Sequence, residues 1–153
     1  MLLNPETFPI IMAHEPAAAN GIGDTAAWCD LSKAKGVLIT FIHYRGGDTN
    51  WTLDVHESPI TTGTTAIAID FPIWAAVDAL NDPTMVRLAD GVGFTINTGT
   101  MTGSQIVQFY IDASILSPGC RYIQAGSTGG NASSYAAILY QLVGARYQGD
   151  KAL

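Results

Sequence analysis

The stretch Ile106–Cys120, IVQFYIDASILSPGC, decides how the rest of the chain is read. From its second residue it alternates. Val107, Phe109 and Ile111 point one way from an extended backbone, and Gln108, Tyr110 and Asp112 the other. That is a strand with one buried face. A turn-rich segment and a short apolar run follow, and no nucleophile, base or ligand cluster is visible.

Working outward, the same period recurs. In KGVLITFIHYRGG, Val37, Ile39, Phe41 and His43 share one face and Leu38, Thr40, Ile42 and Tyr44 the other. Both faces are largely apolar, which predicts a strand that is central or covered on both sides. After the loop GGDTN, the segment WTLDVHE puts Trp51, Leu53 and Val55 inward and Thr52, Asp54 and His56 outward. The two strands read as a hairpin with a longer loop. AIAIDFPIW is a further strand, and Pro72, which cannot donate to a ladder, places it at an edge or ends it. AAVDALNDPTM has room for a helical turn. MVRLADGVGFTIN gives one or two short strands split at Asp90-Gly91. CRYIQAG and SYAAILYQLVGARY complete the set; the last is long enough for a helix, but its pattern and the preceding STGGN turn favour a strand. About eight short strands with regular turn signals predict an all-β antiparallel sandwich or barrel.

Composition agrees. The 153 residues include 48% hydrophobic and only 13% charged side chains, with 16 glycines. A helical bundle carries more Glu, Lys and Arg on its wet faces. The length predicts one domain with a sizeable core, residues 25–153, preceded by an N-terminal arm over residues 1–24. The arm is rich in Pro, Ala and Gly and has no period. The net charge of −6 and the scatter of seven basic residues argue against phosphate binding, so no direct nucleic-acid contact is expected. No secretory signal or transmembrane span is read, and so no membrane partner. Cys29 and Cys120 read as small hydrophobes, with a pairing left open.

The chemistry-bearing residues form no recognisable set. His14, His43 and His56 are the only histidines. A zinc site needs three or four convergent ligands, and none lies at metal spacing, so no metal and no cofactor is expected. No G-x-S-x-G occurs, and neither cysteine carries a catalytic signature. GIGDTA follows no strand, and DTNWTLD lacks the glycine and closing glutamate of a calcium loop. The expectation is a protein without enzymatic activity.

Several segments together resemble one family. They are Pro72-Ile73-Trp74, then VQFYIDAS with Asp112, then GCRYIQ, then the closing GNASSYAAILYQLVGARYQG. Earlier, WCDLSKAKGVLITFIHY leads into an alternating strand ending near Glu57. These resemble the decoration, or cement, proteins of tailed-bacteriophage heads, although the family's second strand often continues EQAT where this chain has HESPI. The resemblance implies a jelly-roll-like sandwich on the outside of a mature virion, often a homotrimer, that bridges copies of the major capsid protein. It implies contacts through the arm, at Leu2, Leu3, Phe8, Ile10, Ile11 and Ile22, and through Asp54, Asp70 and Trp74 on the body. The alternative is a carbohydrate-binding module of a head fibre or receptor-binding appendage, with Trp74 and Tyr44 stacking on sugar rings.

Overall fold

The computed structural model describes residues 10–47, 49–62, 65–67, 70–76, 81–82, 84–97 and 103–144. They form a β-sandwich of two antiparallel sheets. The strands are β1 (Ile10–Ala18), β2 (Cys29–Asp30), β3 (Gly36–Tyr44), β4 (Trp51–Ser58), β5 (Thr65–Ala66), β6 (Ile73–Ala76), β7 (Val86–Arg87), β8 (Gly93–Ile96), β9 (Gln105–Asp112), β10 (Tyr122–Gly129) and β11 (Tyr135–Val143). One sheet runs β1-β11-β3-β9-β6-β7. The other runs β2-β10-β4, and β4 is flanked by β8 along its first half and β5 along its second. Among the described residues no helix is long and apolar enough to cross a membrane.

The pairings are nested. β1 pairs β11, β2 pairs β10, β3 pairs β9 and β4 pairs β8, all antiparallel. Successive nested pairs fall in opposite sheets. At the β10–β11 connection, Gly129 and Gly130 adopt φ of +78° and +84°. These are left-handed conformations that other residues adopt only at a cost.

The period-two strands hold. Val37, Ile39, Phe41, Trp51, Leu53, Val55, Val107, Phe109 and Ile111 are all buried. β3 is central, between β11 and β9. β11 is a strand, and the 86–96 segment gives two short strands on either side of Asp90-Gly91. The β3–β4 hairpin does not form. The two strands lie in opposite sheets, and the loop between them crosses the sandwich. Their apolar rows meet face to face: the Trp51 ring lies edge-on to Phe41 at 6.2 Å and stacks on His43 at 5.2 Å. Part of the expected arm is paired. Ile10–Ala18 is an edge strand on β11, with irregular register around His14 and with Pro16 inside it. Proline is tolerated there because an edge strand has one unpaired side. The two cysteines are free, and burial pushes the Cys29 thiol up to about 12.

Two polar groups inside the sandwich have distinct consequences. β10 pairs β2 only at Tyr122 and Ile123, so the Ala125 N–H lies beyond the end of that ladder. It donates instead to the hydroxyl of Tyr140, which reaches across from the other sheet at 2.7 Å. Tyr140→Phe leaves that buried donor unmet, at a cost of about 1–3 kcal/mol. A lower urea midpoint with unchanged slope is the expected reading. His43 is the second group: buried, with Nδ1 2.5 Å from Gln105 Oε1. Burial holds its pKa below the ordinary value; the Gln105 bond opposes this and Arg45 adds to it. The unfolded chain thus takes up the proton first. The neutral ring contributes fully above about pH 6.5, and its contribution fades as pH falls toward the folded-state value. Chemical denaturation of His43→Gln at about pH 7.5 and about pH 5.5 should show a smaller loss of stability than the parent. An equal loss would assign the acid sensitivity to other groups.

Candidate interaction surface

Because one face of the six-stranded sheet is packed inward, the alternate side chains of the same strands face out. Register places them in rows. One row is Met12, Leu139, Thr40, Gln108, Trp74 and Arg87; beside it stand Ala137, Ile42 and Ile106. On one side of these lies a row of Ile10, Gln141, Leu38 and Tyr110, and on the other Tyr135 stands opposite Tyr44.

This outward face mixes aliphatic and aromatic side chains with the neutral polar groups of Thr40, Gln108 and Gln141, and carries little charge. Ile10 is 65% exposed, Met12 55%, Tyr44 58% and Tyr135 57%; Ile42 is also exposed. Two acidic groups belong to β1, β11, β3 and β9: Glu15, exposed on the irregular part of the β1 edge, and Asp112. Asp112 lies at the strand end, where its carboxylate accepts from the Ser114 N–H and so caps the following turn. That bond holds the Asp112 carboxyl below its usual range. Arg87 sits at the far edge. Its guanidinium lies 4.9 Å over the Trp74 ring and pairs with Asp90.

Magnitude limits what the face can do. Four strands about 4.8 Å apart and about eight residues long, at about 3.3 Å per residue, present a flat area of roughly 500 Å². This sits at the upper end of the apolar patches ordinary monomers carry. A stable two-partner interface takes about 800 Å² from each side. The face is therefore sized as one part of a larger or repeated contact.

The residues expected to make contacts are dispersed. Ile10 and Trp74 share the outer face, but Arg87 covers one side of the Trp74 ring. Ile11 packs against the core, and Ile22 is fully buried, beyond a partner's reach. Asp70 is exposed ahead of Phe71, and Asp54 lies on the opposite sheet. Leu2, Leu3 and Phe8 fall outside the described residues. Met12, Leu139 and Tyr135 were not singled out by the sequence, although the two-sided apolar pattern of β3 already marked Leu38, Ile42 and Tyr44. Compared with protein-family models and with curated proteins, the chain matches none.

Proposed function

We propose that this protein is a structural adhesion module: a decoration protein that sits on the outer surface of a tailed-phage head and bridges neighbouring copies of the major capsid protein. The observation that carries the reading is the exposed, largely apolar outward face of the six-stranded sheet, with charge confined to its edges. The nested pairing supports a jelly-roll description, an architecture used by viral capsid and lectin domains. Fold alone does not specify function. The face and the segment resemblance are what favour the shell as partner.

In this reading the chain carries out no reaction and touches no nucleic acid. One face of roughly 500 Å² binds weakly by itself. A trimer at a three-fold position would present three such faces, and linked contacts raise overall binding by about 10²–10⁴ without new chemistry. A charge placed in the middle of the face would have to be desolvated on docking.

The carbohydrate reading has one feature in its favour, the exposed pair Tyr44 and Tyr135 standing directly opposite each other. It would use those two rings rather than Trp74, whose face Arg87 occupies.

Ile42→Asp is expected to lower occupancy on purified shells at least about tenfold, the equivalent of losing one buried aliphatic side chain. The isolated protein should keep its thermal midpoint. Electron microscopy of decorated particles reads the occupancy directly. Full, ordered decoration by the variant would overturn the proposal, as would glycan binding that disappears in Tyr44→Ala while shells stay bare.

A further inference from the structure

We propose that Asp24, Asp54 and His56 form a binding site for a divalent transition-metal cation of the zinc class, which ties the 22–28 segment to the five-stranded sheet. The site is independent of the apolar face, which belongs to the other sheet.

The three residues converge across β10. Asp54 lies on β4, directly opposite Gly126 on β10. On the other side of β10, the segment after Ile22 runs along the strand edge, where Ser127 N–H donates to Gly23 O at 3.2 Å. Gln124 fixes the same segment: its Nε2 donates to Asp24 O at 2.9 Å and to Ala26 O at 2.7 Å. The two carboxylates therefore reach toward each other from either side of Gly126. The missing side chain is required, because a Cβ there would lie within 3 Å of Asp54 Oδ1, Asp24 Oδ1 and His56 Cε1. His56 shares the outward face of β4 with Asp54, two residues on.

The polar atoms at this point are incompletely satisfied. The His56 side chain is 8% exposed, and its Nδ1 stands 3.7 Å from Asp24 Oδ1 and its Nε2 3.7 Å from Asp54 Oδ2. Both distances exceed a hydrogen bond. Nδ1 of His56 and Oδ1 of Asp54 are buried and have no hydrogen-bond partner. Burial holds the Asp54 carboxyl above its usual range, with His56 opposing and Asp24 adding. A divalent cation offsets the charges of both carboxylates and gives the orphaned atoms a partner.

The donor set points to the cation class. One ligand atom from each residue lies within 4.8 Å of the others. Around zinc, with bonds of about 2.0–2.2 Å, neighbouring donors stand roughly 3–3.5 Å apart. Closing the remaining gap is a side-chain adjustment for Asp24, which is exposed on its segment. An imidazole with two carboxylates suits zinc or manganese, whereas calcium and magnesium take oxygen donors. Three protein ligands leave further positions for water.

The test is calorimetric titration of the full chain, stripped with chelator, with zinc, manganese, calcium and magnesium chlorides. Zinc or manganese is expected to bind one per chain and to raise the thermal midpoint. Asp24→Asn and His56→Gln should each weaken binding at least about 100-fold, more than loss of an outer-shell partner typically costs. Asp24 is exposed, so Asp24→Asn keeps the metal-free midpoint and remains informative if His56→Gln misfolds. No stoichiometric zinc or manganese binding, binding of calcium or magnesium alone, or binding unchanged in Asp24→Asn would each overturn the assignment.

Discussion

The two sheets hold together through the meeting of β3 and β4 across the sandwich, and the other elements are placed by that contact. Trp51 lies against Phe41 and His43 on the opposite sheet, Phe41 against Phe109, and Phe109 against Phe71, with centroid separations of 5.0–6.2 Å. Aromatic rings bury large areas and prefer edge-on or offset contacts. The Trp51 contacts span the two sheets, and Phe109 and Phe71 continue the same buried layer. Once β3 and β4 are opposed, alternation decides which side chains are left outside. The apolar outward row of β3 and the Asp54–His56 pair of β4 are then on opposite surfaces of the molecule.

That division separates two kinds of surface chemistry. The six-stranded sheet presents mostly rings and aliphatic chains, with Thr40, Gln108 and Gln141 among them and charge only toward its edges, a composition suited to a contact that works by excluding water. The five-stranded sheet presents carboxylates and an imidazole beside a glycine, a small polar set suited to a point ligand. Neither surface disturbs the other, because the buried layer between them is continuous.

Much of the fold was legible in the chain. β3, β9 and β11, and β4 as far as Val55, show a two-residue period, and burial of one face is what that period encodes; β10 lacks it, being buried from Ile123 to Ser127. Neighbour relations were not legible. Alternation says which side of Trp51 is buried, not whether the strand beside it is β3 or β10, and the GGDTN loop suits a hairpin or a crossing equally. Ile10–Ala18 hid its strand because its irregular register and Pro16 break the period. The polar cluster was half visible: Asp54 and His56 share a face by spacing. Asp24 joins them only through backbone contacts to β10, and the part played by Gly126 follows from what stands on both sides of it.

The nested pairing also governs how the molecule comes to be made. Both partners of the central strand β3 are distant in sequence, β9 at Gln105–Asp112 and β11 at Tyr135–Val143. On a ribosome, β3 emerges long before either neighbour and must wait with both edges and both apolar faces unmatched. Folds dominated by such distant contacts close in about milliseconds to seconds, compared with microseconds to milliseconds for local ones. The nascent chain is thus exposed to mispairing until its last long strand is released, and co-translational shielding matters more for this architecture than for a helical chain of equal length.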